Sequence, residues 1–233
     1  MLVHKIYAPL KKILPEPMAR FMRGVATALL TPPYFAYRSG HFISSLQSKG
    51  VDRYKRPLAW YTYPALDFLS AKSFDHCRIL ELGAGQSTLW WAERAAHVIS
   101  FEQEQHWYTL LKGKVPGNVD LHYCPDPALP DVRNTLSAQE FDVIIVDGFD
   151  RFIAVKETLS FLASQGILIL DNSEGFWGDD GTYPIIDFLN VAGMMRVDFY
   201  GHSPATILPA CTSIFFREHS WIFHDANPPK RYA

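Results

Sequence analysis

Glu81 stands two residues ahead of a Gly83-Ala84-Gly85 turn, with Ser87-Thr88 just beyond it. The apolar residues Ile79, Leu80 and Leu82 predict a short buried strand before the turn, and Leu89 to Ala95 predict a helix after it. A strand, a glycine turn and a helix start make a ligand site. Glycine lets the backbone come close to a ligand, and the first turn of a helix offers N–H groups that have no intrahelical partner. The neighbouring residues narrow the ligand. A dinucleotide fingerprint needs a third glycine where this chain has Thr88, and a carboxylate is unfavourable beside a pyrophosphate. The same carboxylate suits a cation. The alternative reading of the run is a plain strand-to-helix turn on some other α/β fold.

Further acids recur at the ends of apolar runs. Glu102 ends a strand expected over His97 to Gln103, about twenty residues past the glycine turn, where nucleotide-binding α/β folds set a carboxylate against a ribose. It could equally cap the helix expected over Gln105 to Lys112. A third strand, Val119 to Cys124, leads into Pro125-Asp126-Pro127, which is also simply a good turn sequence. Val143 to Val146 is apolar at successive positions, as in a strand buried on both faces, and delivers Asp147 to the strand's carboxyl end. Gly166 to Leu170 does the same for Asp171-Asn172, and a helix from Phe149 to Ala163 separates the two strands. A helix over Tyr183 to Ala192 and strands over Met194 to Tyr200 and Cys211 to Arg217 follow. His202 lies on the Gly201-to-Pro209 loop between those strands. Alternating strands and helices predict an α/β, Rossmann-like sheet that is mostly parallel, with its ligand at the carboxyl edge.

An acidic residue, one apolar residue and then Gly-x-Gly make the Glu81–Gly85 run resemble motif I of the class I S-adenosylmethionine (SAM)-dependent methyltransferases, and Asp147 resembles their motif IV. The likeness spans roughly residues 57–218. It implies a seven-stranded sheet with helices on both faces and an antiparallel last strand. It also implies a SAM site: Glu81, Gly83, Ala84, Gly85, Ser87 and Thr88 around the methionine portion, and Glu102 and Gln103 at the ribose. Asp126 or the Cys124 backbone would meet the adenine, and Asp147 would face the sulfonium. The segment before motif I, Trp60-Tyr61-Thr62-Tyr63, would line the pocket, Tyr61 and Tyr63 above all; core packing is its other reading. A small-molecule acceptor is expected, with O-methylation favoured, and Asp147, His202 or a bound metal would assist removal of a hydroxyl proton.

Asp147 with Asp171-Asn172 further resembles the metal-binding trio of catechol O-methyltransferase-like enzymes, where such strand ends hold a divalent cation such as Mg²⁺. Those enzymes carry a catalytic lysine shortly after the first aspartate. Here that stretch reads Gly148-Phe149-Asp150-Arg151-Phe152, and Lys156 comes about a turn later. The alternative is that Asp171-Asn172 caps the next turn and shapes the acceptor pocket. Arg151 either holds an anionic substrate group or forms a salt bridge. The aromatic-acidic loop Gly175 to Gly181 is expected near the acceptor side.

The 233 residues, 48% of them hydrophobic, suffice for one catalytic domain, read as 57–233 behind a basic N-terminal extension, 1–56. Cys77, Cys124 and Cys211 are widely spaced and in no metal-type pair, which points to a reducing, cytoplasmic setting. The net charge of −2 hides a division: residues 1–58 carry ten Lys and Arg against Glu16 and Asp52, or +8, leaving −10 for the rest. The acidic domain argues against a nucleic-acid partner. Basic and apolar residues alternate through 1–30, which gives an amphipathic helix for an anionic membrane surface, with peripheral contact through residues 1–50. Packing of the arm on the domain or between subunits is the other reading. Pro32-Pro33 is expected to end a helix begun near Met18, and 38–56 reads as a polar connector. Two rivals to a methyltransferase remain open at this point. One is an enzyme of another class on a related fold, a nicotinamide-dependent oxidoreductase or an aminopropyl transferase. The other is a non-catalytic module that uses its basic arm.

Overall fold

A computed structural model describes residues 14–126, 130–136, 140–148, 150–175 and 182–223. Pro127, Phe149 and the Phe176–Gly181 part of the aromatic-acidic loop lie outside the described residues. Seven strands form one sheet: β1 (Arg78–Leu82), β2 (His97–Glu102), β3 (Val119–Tyr123), β4 (Phe141–Val146), β5 (Leu162–Leu170), β6 (Met195–His202) and β7 (Pro209–Phe216). Their order is β3-β2-β1-β4-β5-β7-β6. The first five are parallel, and β7 runs antiparallel between β5 and β6. This is the seven-stranded, mostly parallel α/β sheet that the sequence led us to expect.

Strand composition explains the burial. Side chains alternate across a sheet, so a strand covered on both faces must be apolar at successive positions. In β4, Val143 and Ile145 join one apolar layer with Ile79, Ile167, Ile169 and Ile214, while Ile144 and Val146 join the other with Leu80, Leu82, Leu168 and Leu170. The first layer is closed by α3 (Tyr63–Ser70), through Ala65, Leu66 and Leu69, and by α4 (Gln86–Ala92), through Trp90 and Trp91. The second is closed by α6 (Pro130–Leu136), α7 (Arg151–Thr158) and α8 (Thr182–Val191). A further helix, α5 (Gln105–Lys112), links β2 to β3.

Three local expectations need correction. The N-terminal helix α1 (Glu16–Arg38) passes through Pro32 and Pro33 instead of ending there. A proline ring fits helical φ but supplies no N–H, so the carbonyls of Ala28 and Leu29 lose their donors; both residues are exposed, and water can serve instead. The expected connector contains a second helix, α2 (His41–Gln47), entered at Gly40 with φ of 79°, and a short bridge between Val51 and Pro57. Helix α7 stops at Thr158 and gives way to a 3₁₀ turn, and β5 begins at Leu162, earlier than Gly166. Phe161 and Leu162 pack in the second apolar layer, which draws this stretch onto the sheet.

Candidate cofactor and acceptor site

Strand order reverses between β1 and β4, and the acids cluster at that switch point. Backbone hydrogen bonds continue past the strand ends: Cys124 N–H to Glu102 O (2.8 Å), Gly83 N–H to Phe101 O (2.9 Å), Asp147 N–H to Leu82 O (2.9 Å) and Asp171 N–H to Val146 O (3.2 Å). They hold Glu102, Gly83, Asp147 and Asp171 side by side along one edge. Gly83 is required there. Its φ is +102°, and a Cβ would lie 2.8 Å from the backbone N of Gly148. Gly85 is different, for it is extended (φ −172°) and a Cβ would meet only Ser87 Oγ, at 3.9 Å. The chain's own packing does not demand a glycine at 85.

Glu81 is completely buried. Its Oε2 accepts from the hydroxyls of Thr88 (2.5 Å) and Ser100 (2.6 Å), while Oε1 is buried and takes no hydrogen bond. Burial pushes its pKa up to about 7 against the pull of the Ser100, Ser87 and Thr88 hydroxyls, and the charge of Glu102 adds to the rise. Thr88 also receives the Gly85 N–H on its Oγ1 (2.9 Å), so one threonine ties the buried acid to the turn. Glu102 holds the other side. Its Oε2 accepts the Ala84 N–H (2.9 Å) and its Oε1 the Glu104 N–H (2.7 Å). Burial raises its pKa, and these backbone donors oppose the rise. Ser87 is buried in the first turn of α4, and Gln103 is half-buried beside Glu102.

The β4 and β5 ends make a second acidic group. Burial raises Asp147 to about 7, Arg151 opposes this, and the charges of Glu81 and Glu102 add to it. Asp171 is raised by burial and then by Asp147, with Thr212 and Arg151 opposing. Asp171 Oδ1 accepts the Thr212 hydroxyl (2.6 Å), and Thr212 Oγ1 in turn accepts the Thr62 N–H (3.0 Å). Asn172, in the left-handed region at φ 49°, faces Arg151 Nη2 at 3.4 Å through its Oδ1. Thus a guanidinium supplies positive charge to the trio that resembles a metal site. Among the described residues no group of three or more His, Cys, Asp or Glu could hold a metal ion. Lys156 is exposed on α7. The trio itself offers two carboxylates and one amide oxygen, and Arg151 and Thr212 already engage that group.

Tyr61 lies beneath both acidic groups. It is wholly buried, its hydroxyl accepts the Trp91 indole N–H (3.0 Å), and its pKa is raised by burial first and then by the charges of Glu81, Asp147 and Asp171. The other residues expected at the site sit farther out along the edge. Tyr63 is buried against the arm, with its hydroxyl 3.4 Å from His41 Nδ1 and its ring edge-on to Phe35. His202 is exposed at the end of β6 and packs edge-on to His41. Asp126 is exposed after β3, and Trp60 is exposed too.

Ser100 and Thr212 are site residues that the sequence reading missed. A signal for Ser100 exists: it is a hydroxyl inside an apolar strand, and the parallel register sets it opposite Glu81. Thr212 has no local signal, because its partners Asp171 and Thr62 are 41 and 150 residues away.

No protein-family model and no curated protein matches the sequence. Solved structures do match in three dimensions. Cofactor-bound Rv0187 from MTB aligns with a TM-score of 0.55 at 17% identity, over 89% of this chain and 99% of that one. The O-methyltransferase TomG from Streptomyces achromogenes, solved with SAM, aligns with a TM-score of 0.50 at 19% identity, over 65% of this chain and 78% of that one. Precorrin-6y C5,15-methyltransferase from Geobacter metallireducens gives 0.50 at 14% identity, over 66% and 88%. With the strand order and the antiparallel β7, these likenesses define the fold as that of the class I SAM-dependent methyltransferases.

Proposed function

We propose that this chain is a SAM-dependent methyltransferase acting on a small-molecule acceptor, most readily a hydroxyl. The observation that carries the reading is Glu81: a fully buried carboxylate with one unpaired oxygen, set under a glycine turn at the switch point of this fold. Among the described residues a Cβ at Gly85 would meet only Ser87 Oγ, and no cation pairs with Glu81. A ligand with an ammonium and a sulfonium would do both. On this reading Glu81 and the Gly83-Ala84-Gly85 backbone, with Ser87 and Thr88, hold the methionine portion. Glu102 and Gln103 meet the ribose, and Asp126 or the Cys124 backbone meets the adenine. Tyr61 forms the floor, and Tyr63 the side nearest the arm.

Methyl transfer is an in-line displacement at an already activated carbon, so the protein's work is mainly to align the acceptor and accept its proton. Asp147, with a pKa of about 7, is suited to take a proton from a hydroxyl near neutral pH, and Arg151 can stabilise the resulting oxyanion. His202 is the second candidate for proton transfer. Mg²⁺ would need Asp147, Asp171 and Asn172, and since Arg151 and Thr212 already engage that group we route no step through a metal. Buried thiols at Cys77, Cys124 and Cys211 fit a cytoplasmic enzyme, and the basic arm fits peripheral contact with a membrane. The test is calorimetric titration of the full chain with SAM and, separately, NADH, followed by transfer of radiolabelled methyl to phenols, carboxylic acids and amines. SAM alone should bind. A folded chain that ignores SAM would overturn the reading.

A further inference from the structure

Helix α1 has 23 residues and two distinct sides. At 100° per residue, Met18, Phe21, Met22, Val25, Leu29 and Pro32 fall on one side, and Glu16, Arg20, Arg23, Thr27, Thr31 and Arg38 on the other, together with Leu30 and Tyr34. An apolar stripe of this kind normally faces a core. Here it faces outward: Phe21 and Leu29 are each 69% exposed, Met18, Met22 and Val25 are exposed as well, and Ala19 is the buried residue of the helix. The helix is anchored at its far end, where Phe35 meets Tyr63 edge-on and tilts against His41. No helix among the described residues is long and apolar enough to cross a membrane.

Charge decides between the two occupants that could cover the stripe. The first 58 residues carry +8 and the remainder −10. A second copy packed arm to arm would bring like charges together. An anionic lipid surface is complementary to the arm and repels the domain behind it, so the helix would lie flat with the sheet held away from the lipid. We propose that α1 is an in-plane membrane anchor, its Met18–Leu29 stripe set among the acyl chains and its arginines among anionic headgroups. This inference stands apart from the methyltransferase reading, since none of the residues set against the lipid belongs to the cofactor site.

The test is flotation of the full chain with phosphatidylcholine vesicles and with phosphatidylcholine–phosphatidylserine vesicles, at low and high salt. The expected result is association with the phosphatidylserine vesicles only, weakened by salt. Phe21→Ser/Leu29→Ser should lower the partition by roughly tenfold or more, because two large apolar side chains no longer leave water. Arg20→Glu/Arg23→Glu should abolish the preference for phosphatidylserine. Circular dichroism and SAM titration would verify that the variants remain folded, and both variants should match the parent in each. Equal flotation of parent and Phe21→Ser/Leu29→Ser would overturn the proposal. So would absence of vesicle binding by a chain that sediments as a dimer and becomes a monomer in that variant, which would assign the stripe to a second copy.

Discussion

Replacing Glu81 by Gln tests whether the buried acid is a charge waiting for a cationic partner. The amide is nearly isosteric, and its oxygen can still accept from Thr88 and Ser100, so the fold should survive. What it removes is a titration. In the folded chain Glu81 has a pKa of about 7, and in the unfolded chain it should sit near 4.3. The native state therefore holds this proton more tightly than the unfolded one, and its contribution to stability is present below about pH 4.3 and lost as pH rises through 7. At 1.36 kcal/mol per pKa unit, the loss between pH 5 and pH 9 is on the order of 3 kcal/mol from Glu81 alone. Asp147 and Asp171 titrate in the same direction, so the informative quantity is the difference between parent and variant. Urea denaturation without ligand should give similar stabilities near pH 5. At pH 9 the variant should be more stable by on the order of 3 kcal/mol. SAM binding at pH 6.5 should release protons in the parent, as the cation draws Glu81 into its charged form, and release fewer in the variant; titrations in buffers of different ionisation enthalpy read this directly. Parallel stability curves would refute the reasoning, since they would mean that Glu81 is already charged in the folded chain.

The two glycines of the turn should respond in opposite ways. Gly83→Ala places a Cβ against the Gly148 backbone at positive φ and should cost on the order of 3 kcal/mol in thermal or urea unfolding. Gly85→Ala should unfold within about 0.5 kcal/mol of the parent, yet weaken SAM binding by roughly tenfold or more, because its methyl would enter the open space that the proposed function gives to the ligand. Arg151→Ala removes the cation that holds down the pKa of both Asp147 and Asp171, so its stability deficit should be larger at pH 8 than at pH 6. It should also gain Mn²⁺ binding by calorimetry that the parent lacks. A parent that binds Mn²⁺ as well as the variant does would restore a metal to the site.

What could be read from the sequence was what local chemistry determines. Glu81, Gly83 and Gly85 are legible because the strand, the turn and the acid lie within a few residues of one another. Helix α5 and strand β4 were legible for the same reason, as a periodic run and an unbroken apolar run. The partners of the acids were not. Ser100 reaches Glu81 only through the register between β1 and β2, and Thr212 joins Asp171 to Thr62 only because β7 inserts beside β5. Arg151 looked like a surface residue or a substrate clamp, whereas its charge acts on the half-buried Asp147 and the buried Asp171, at the ends of different strands.

The N-terminal helix shows the limit from the other side. Its prolines read as a stop because an interior proline removes a donor and its ring crowds the carbonyl four residues back, at about 3 kcal/mol or more. Exposure relieves the lost hydrogen bonds but not the crowding. Along α1 the surroundings are water on nearly every side, so the carbonyls left by Pro32 and Pro33 can be hydrated and the helix runs on to Arg38. The exposure that permits this continuation also leaves the apolar stripe uncovered. The helix carries its arginines on one side and most of its exposed apolar residues on the other, a pattern that the fold itself does not use. The proposed membrane surface would give that pattern a use, with the +8 of residues 1–58 set toward an anionic surface and the −10 of the rest held away from it.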